Sequence, residues 1–219
     1  MSKPKVLLYE WLAVAFVMVL IVSNIASIKM VALGPIVFDA GTLLFPLAYI
    51  IGDVITEVYG YKRMRGLIVK GIVMLLITSL TFWIVGMLPA EASWTLQESF
   101  TATLGVVWRI VLASIVAIFA GELVNAYILA KLKVATKGKG LWGRLVGSSA
   151  IGNAVDTILF STIAFAGTMP FDVLIQLIAS VFVIKMVIEI AISPITIRVI
   201  AMVKKREKID IYEDPALLS

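Results

Sequence analysis

Cysteine and histidine are both absent from the chain of 219 residues. The lack of cysteine excludes disulfides and thiolate nucleophiles, and the lack of histidine removes the commonest general base and metal ligand. Charged side chains are also scarce, at 15% of the chain, compared with about a quarter in soluble domains. We therefore expect neither redox chemistry nor most kinds of metal chemistry, and no cofactor.

Apolar residues are correspondingly abundant. They make up 61% of the chain, and the mean hydropathy is +1.06. Apolar runs of about 20 residues, the length of helix that crosses a hydrocarbon core of about 30 Å, recur throughout. Helices are predicted rather than barrel strands, because the runs do not alternate and every backbone group must be satisfied within its own segment. The sequence predicts an all-α integral membrane protein.

The apolar runs predict a bundle of six transmembrane helices and leave no stretch for a soluble domain. Their approximate bounds are residues 9–28, 40–59, 66–88, 105–130, 144–166 and 171–203. Residues 1–219 are interpreted as a single transmembrane transporter domain with a cytoplasmic tail at 204–219. The first run is too long for a signal peptide and lacks a clean cleavage site, so we expect an uncleaved first helix.

The basic residues predict how the helices are oriented. The loops at residues 30–39, 89–104 and 167–170 contain only acidic or neutral residues, whereas the other loops and both chain ends are basic. By the positive-inside rule, we expect both termini on the cytoplasmic side of the inner membrane. The residues behind this prediction are Lys3, Lys5, Lys62, Arg63, Arg65, Lys131, Lys133, Lys137, Lys139, Arg144 and the KKREK run after Val203.

The net charge of +5 is explained by this topology and by contact with anionic lipid. Its basic clusters lie at predicted helix ends rather than on one folded face, so no nucleic-acid partner is expected. The Gly- and Lys-rich segment KVATKGKG is expected to be a mobile cytoplasmic loop.

A second group of polar residues lies within the apolar runs. Each charge there costs roughly 2.5 to 3.5 kcal/mol on insertion-based scales, so we expect it to face the bundle interior. Lys29, Glu57 and Lys70 are close enough to helix ends for their charged groups to reach the interface. Spacings of three or four place four pairs on shared helical faces: Asn153 with Asp156, Glu122 with Asn125, Asp53 with Glu57, and Lys185 with Glu189.

We expect the two buried cations, Arg109 and Lys185, to bind carboxylates, because an unpaired buried charge is far more costly than a paired one. Asp156 and Glu189 are the nearest candidates for Lys185. Close helix contacts are also predicted from small residues four apart: Gly143 with Gly147, Ser148 with Gly152, and the series Ala113, Ala117, Gly121.

Other functions explain the buried polar residues less well. Interhelical ion pairs that only stabilise the bundle would use the charges, but amides and spare carboxylates exceed what two or three pairs require. Ile51-Gly52-Asp53 is similar to part of the Gly-x-Gly-Asp signature of intramembrane aspartyl proteases, but Ile51 replaces its first glycine, so we expect no enzyme. A channel would show rings or filter loops of repeated polar residues. Chemically mixed groups instead favour a small polar solute and hence a transporter.

Two long motifs and an isolated lysine carry a family resemblance. They are FPLAYIIGDVITEVYGYKR at residues 45–63, VGSSAIGNAVDTILF at 146–160, and the lysine of FVIKMVIEI. With Ser23-Asn24 and Arg109 they extend over nearly the whole chain, which resembles the queuosine precursor transporter family, also called the vitamin uptake transporter family. The resemblance implies a six-helix inner-membrane protein that imports 7-deazaguanine precursors of the tRNA base queuosine. It does not indicate whether preQ0, preQ1 or queuine is preferred.

The resemblance also implies a set of substrate-binding residues. An ionised carboxylate accepts both the N1–H and the 2-amino donors of a guanine-type edge, and an amide or ammonium donates to O6. We assign the first role to Asp156 and the second to Asn153 and Lys185, with Phe45, Tyr49 or Phe160 covering the ring. By motif the candidates are Asn24, Asp53, Arg109, Asn153, Asp156 and Lys185, to which burial and spacing alone add Glu122 and Glu189.

Two alternatives remain open. A substrate-binding subunit of an energy-coupling-factor vitamin importer would also have six helices, but such subunits carry an Ala-x-x-x-Ala contact on the first helix. Here Ala13 and Ala15 are followed four residues later by Val17 and Val19. A non-transporting structural membrane protein would keep its buried charges permanently paired. The sequence leaves energy coupling open and is compatible with a homodimer.

Overall fold

The structure, a computed structural model, describes residues 8–33, 36–105, 107–167 and 169–213, without the side chains of Val37 and Val107. These residues are mostly helical, as predicted. The helices are α1 (Leu8–Ala26), α2 (Phe45–Tyr59), α3 (Tyr61–Met87), α4 (Gln97–Leu104), α5 (Val107–Ala135), α6 (Leu141–Phe165) and α7 (Phe171–Glu207). Two strands, β1 (Met30–Leu33) and β2 (Ile36–Asp39), form an antiparallel pair. The basic residues Lys3 and Lys5 lie outside the described residues.

The chain is a multi-pass membrane protein. Within the described ranges, four helical segments are long and apolar enough to cross a membrane. They are α1, α3, the segment Gln97–Ala135, and α7. The other two long helices differ for a physical reason: α2 has only 15 residues, 12 of them buried, and α6 buries an arginine, an asparagine and an aspartate. Helices that are enclosed by other helices need not present a lipid-compatible surface.

The predicted helix at residues 40–59 is divided in two. A short 3₁₀-helix at Ala40–Leu43 precedes α2, and Pro46 occupies the first turn of α2, where its missing N–H costs nothing. Asp39 fixes this entry: its carboxylate accepts hydrogen bonds from the Ser27 hydroxyl at 2.6 Å and from the Thr42 hydroxyl at 2.7 Å. At the other end of α2, Gly60 adopts a φ of 90°, which favours glycine, and α3 begins at the next residue.

Two of the predicted loops also contain regular structure. The β1–β2 hairpin occupies the loop at residues 30–39, and α4 lies in the loop at 89–104. The linker between α5 and α6 is shorter than expected, because α5 continues to Ala135 and α6 begins at Leu141. Gly138 and Gly140, both with positive φ, turn the chain between them.

The helix ends gather at two poles. At one pole the backbone N–H of Leu8 donates to Glu207 at 2.8 Å, and the Tyr9 and Tyr59 rings are 5.4 Å apart beneath the guanidinium of Arg63. The start of α1, the end of α2, the start of α3 and the end of α7 therefore meet there. We call this pole the basic end. At the opposite pole the hairpin packs on α7, with Phe38 against the start of that helix.

Helices α5 and α6 approach each other closely through two glycines. A Cβ on Gly121 would lie 2.6 Å from the Cβ of Asp156, and one on Gly152 would lie 2.7 Å from the Cβ of Asn125. This pair brings the backbones together at the level where the polar residues lie. Gly143 and Gly147 have open space beside them instead, so their predicted role in close helix contact is wrong.

Candidate functional site

An ion pair lies at the centre of the bundle, between α6 and α7. The Lys185 ammonium donates to Asp156 Oδ2 at 2.6 Å, and both side chains are at most 4% exposed. The pairing predicted for Lys185 is thus confirmed. The same ammonium lies 4.5 Å from the centre of the Phe45 ring, on the first turn of α2. Because the pair is enclosed, its attraction is screened much less than that of a surface pair.

A second polar group lies between α2 and α5. The Asn125 amide donates to Asp53 Oδ1 at 3.0 Å. Glu122, one turn before Asn125, lies against α2, since a Cβ on Gly52 would be 3.1 Å from its Oε2. The lack of a side chain at Gly52 lets this carboxylate lie close to α2. Asp53 Oδ2, Glu122 Oε2 and Asn125 Oδ1 are all buried and have no hydrogen-bond partner.

Serine and asparagine side chains of α6 extend the polar centre. The Ser149 hydroxyl donates to Glu189 at 3.2 Å, and the Asn153 amide makes a long contact with the sulfur of Met186 at 3.8 Å, while its oxygen has no partner. Sequence reasoning missed Ser149. Its spacing of four from Asn153, and then three to Asp156, was the available signal, because these three residues share one helical face.

The charges of this centre do not balance. Glu122 interacts electrostatically with Asp156 and Glu189, and Asp53 with Glu122 and Glu189, whereas the cation Lys185 forms an ion pair with Asp156. Among the described residues no other lysine or arginine forms an ion pair with any of these four carboxyl groups. Together with Asn125, Ser149 and Asn153 these five ionisable residues form what we call the central polar cluster.

Two of the sequence candidates lie apart from this cluster. Asn24 lies two residues before α1 ends, and its side-chain amide donates at 2.9 Å to the Leu20 carbonyl of the same helix. Arg109 lies at the pole opposite the basic end. Its Nε donates to the Ile163 carbonyl at 2.9 Å and its Nη2 to the Ala166 carbonyl at 2.6 Å. The prediction that Arg109 binds a carboxylate is wrong. Backbone carbonyls at the C-terminal end of α6, which have no hydrogen-bond partner within that helix, accept its hydrogen bonds instead.

The prediction that the charged group of Glu57 reaches the interface is wrong. Glu57 is 1% exposed and lies at the basic end. Its carboxylate binds Arg144 through two hydrogen bonds, at 2.6 and 3.1 Å, and Lys204 through one at 2.9 Å. Lys133 lies 3.8 Å from Glu57 and donates to Asp210 at 2.6 Å. We call these five residues the basic-end cluster. The sequence predicts Lys133 in a mobile loop and Arg144 at the start of a helix, and both are buried.

The chain after α7 is part of the basic-end cluster. Ile211 N–H donates to the Val58 carbonyl at 3.2 Å, and the Ile211 carbonyl accepts from Lys133 at 2.7 Å. Burial raises the pKa of Asp210, but hydrogen bonds from Lys133 and Lys204 outweigh it and hold that pKa below its ordinary value. This segment closes the basic end over α2 and α5.

Of the three aromatic residues predicted to cover a flat solute, two lie at the central polar cluster. Phe45 lies under the Lys185 ammonium, and Tyr49, one turn further along α2, is within electrostatic range of all four carboxyl groups. Phe160 instead packs against Phe165 and the alanines of α5. Its contacts are those of a core residue, so the structure does not place it at the cluster.

The outer surface offers apolar grooves that differ from this centre. One lies between α1 and α3, with Val17, Met18 and Met74 among its lining residues, and another between α6 and α7 beside Phe182. Such grooves suit lipid chains, because they present hardly any polar group to a solute. Within the described part of the chain, no three acidic side chains are placed to hold a metal ion.

Comparison with known proteins also indicates a transporter. A family described as "Putative vitamin uptake transporter" matches residues 39–199, which include α2 and α6 and most of α7. A Bacillus subtilis protein named "Probable queuosine precursor transporter" is 27% identical over 190 residues, covering 85% of this chain and 80% of that protein. A Haemophilus influenzae protein of the same name is 29% identical over 125 residues, covering 57% of this chain and about half (51%) of that protein. No solved structure matches the chain significantly.

The family match extends over well more than half of the chain, and it contains seven of the eight candidate site residues, all except Asn24. It also contains every side chain of the central polar cluster. This chain belongs to the vitamin uptake transporter family, whose members include the queuosine precursor transporters.

Proposed function

We propose that this protein imports 7-deazaguanine precursors of queuosine, namely preQ0, preQ1 or queuine, across the cytoplasmic (inner) membrane, and that it is a transporter without enzymatic activity. The observation that carries the proposal is the buried Asp156–Lys185 pair beside the unpaired Asn153 oxygen in a member of this family. The names of the two relatives support the substrate class.

The proposed recognition uses the partners of this ion pair separately. The Asp156 carboxylate accepts the N1–H and the 2-amino group of the base, and the Lys185 ammonium donates to O6. At 2.6 Å the two groups leave no space for a base between them. In this proposal substrate binding opens the pair, and each partner exchanges one charged contact for a contact with the base. Asn153, one turn from Asp156, supplies the additional amide.

The proposed topology has six crossings, by α1, α2, α3, α5, α6 and α7, in a single domain. Both termini and the basic end are then cytoplasmic. In support of this, Arg63, Lys133, Arg144 and Lys204 all lie at the basic end, whereas the turn at residues 88–96 has no basic residue. The excess of lysine and arginine on one side agrees with the positive-inside rule.

Uptake of radiolabelled 7-deazaguanines tests the proposal in cells that lack other salvage routes. Cells with the chain should accumulate label, and cells without it should not. Asp156→Asn should lose uptake at least about 30-fold, because a donor then faces a donor in a desolvated site. Asp172→Asn, on the exposed first turn of α7, is the matched control and should transport normally.

Competition by analogues with the wild-type protein tests the same contact even if Asp156→Asn does not fold. Guanine-type analogues should compete with the label, and adenine-type analogues should compete poorly. Equal competition by both would show that Asp156 does not read this edge. Uptake by the purified protein in liposomes without an ATPase would exclude the energy-coupling-factor alternative. A folded protein that no purine-like ligand stabilises against heat would support the structural alternative.

A further inference from the structure

The unpaired acceptors between α2 and α5 form a distinct part of the central polar cluster. Asp53 Oδ2, Glu122 Oε2 and Asn125 Oδ1 are buried oxygens without a donor, on residues at most 4% exposed. A buried acceptor without a partner is costly, and a charged one more so. Three such atoms on neighbouring residues of two packed helices therefore indicate that a donor group from outside the chain belongs there.

The charge of the cluster indicates what kind of donor fits. Lys185 neutralises Asp156 at 2.6 Å. Glu189 has a hydrogen bond from Ser149, and Asp53 has one from Asn125, but neither donor carries charge. Glu122 has neither a cation nor a donor on its Oε2. Among the described residues, the ionisable groups that interact electrostatically with Asp53 or Glu122 include Glu57, Asp156, Glu189, Lys185 and the phenol of Tyr49, so carboxyl groups predominate.

A protonated amine supplies both the hydrogen-bond donors and the positive charge that these acceptors lack. An alkylammonium has three N–H donors and one positive charge, against three orphan oxygens and an excess of carboxylates. A neutral donor would fill the hydrogen bonds and leave the charge. Glu122 also lies close to the residues proposed to read the base, since it follows Gly121, which touches Asp156.

We propose that Asp53, Glu122 and Asn125 form a subsite for a protonated amine on the 7-substituent of the substrate, so that amine-bearing 7-deazaguanines are preferred over neutral ones. The inference rests on the proposed function, because it assumes that Asp156 and Lys185 hold the base. It goes further by assigning charge selectivity to a second set of residues. Glu122 supplies the unpaired charge, and Asn125 orients Asp53 through its hydrogen bond.

Binding of two isosteric ligands to the purified wild-type protein tests the subsite. The probes are 7-aminomethyl-7-deazaguanine, which is a cation at neutral pH, and 7-ethyl-7-deazaguanine, which has the same shape without charge. The amine should bind at least roughly 30-fold more tightly, as expected for a charge-assisted contact in a desolvated site. Equal affinities would overturn the subsite and leave the proposed function standing. Failure of both ligands to bind a folded protein would instead overturn the proposed function.

Glu122→Gln then distinguishes a substrate amine from a proton as the group that neutralises the pocket. Glutamine resembles a protonated glutamate, so a pocket that is normally protonated would bind the amine equally well after the change, which would refute the subsite. If the amine belongs there, its affinity should fall roughly 30-fold while that of the ethyl analogue stays within about threefold. Glu98→Gln, an exposed change in α4, should alter neither affinity. If Glu122→Gln does not fold, Asp53→Asn is measured with the same two ligands and the same criteria.

Discussion

Glu57 provides the sharpest test of how the basic end is held together. Its carboxylate is 1% exposed and contacts three cations: Arg144 at 2.6 Å, Lys204 at 2.9 Å and Lys133 at 3.8 Å. Glu57→Gln keeps the shape of the side chain but removes the charge. The three cations would then have only Asp210 as an acidic partner in the basic-end cluster.

The expected loss is large compared with the stability of a folded protein. Breaking a buried ion pair from one side costs about 3 to 5 kcal/mol, because it leaves an uncompensated charge. Lys204 has a side chain 24% exposed and can regain hydration, whereas Arg144 and Lys133 are each 3% exposed. We therefore expect Glu57→Gln to lower the free energy of unfolding by about 3 kcal/mol, out of a typical total of about 5 to 15 kcal/mol.

A double-mutant cycle in mixed detergent micelles measures this effect. Unfolding is followed by far-ultraviolet circular dichroism for Glu57→Gln, Arg144→Met and the combined variant. The two changes should couple by about 2 kcal/mol, since Arg144 no longer needs a partner once it is removed. Glu98→Gln on α4 is the control and should change stability by less than about 0.5 kcal/mol. A loss below about 1 kcal/mol for Glu57→Gln, or additive effects of the pair, would show that the cluster is hydrated and not stabilising.

Three further predictions concern topology, helix packing and pH. Ser93→Cys and Lys139→Cys, each placed singly in this cysteine-free chain at an exposed site, should be labelled by an impermeant reagent from opposite sides of the membrane; labelling from one side would contradict the six crossings. Gly121→Ala should destabilise the protein by about 1 to 3 kcal/mol, because its Cβ would lie 2.6 Å from that of Asp156, whereas Gly147→Ala, with open space around it, should not; equal unfolding curves would refute the close α5–α6 contact. The lowered pKa of Asp210 means that its stabilising contribution is complete above the unfolded value near 3.9 and is lost as the pH falls through the folded value. Asp210→Asn should therefore reduce the loss of stability between about pH 6 and about pH 3, and an unchanged loss would show that other carboxylates cause it.

The pairing of Lys185 with Asp156 could be predicted from the sequence because the requirement is local. A cation in the middle of an apolar run must find a carboxylate, and few carboxylates occur at a similar depth. The helical character of the runs follows in the same way, since backbone hydrogen bonds inside a membrane must be made within the segment. These conclusions depend on composition and depth, which a linear sequence contains.

The partner of Arg109 depended on the tertiary structure. The carbonyls of Ile163 and Ala166 accept its hydrogen bonds because α6 ends beside the start of α5. Every helix has such unpaired carbonyls at its end, so the sequence does not indicate which helix end an arginine will meet. The hairpin that enters α2 is similar: it is stabilised by Asp39 bonding back to the end of α1, a contact that no residue pattern in the loop specifies.

The basic-end cluster and the glycines show the same limit. The positive-inside rule accounts for any lysine or arginine near a helix end, and it does not separate a hydrated Lys139 from a buried Lys133 that binds Glu57 and Asp210. Likewise Gly143 and Gly152 both belong to pairs with the same four-residue spacing, yet only Gly152 of these two packs closely against another helix. The sequence by itself determined that the chain spans the membrane as helices, with charges that must pair inside. Only the tertiary structure decided which face of each helix meets a neighbour, because that depends on the relative rotation of helices far apart in the chain.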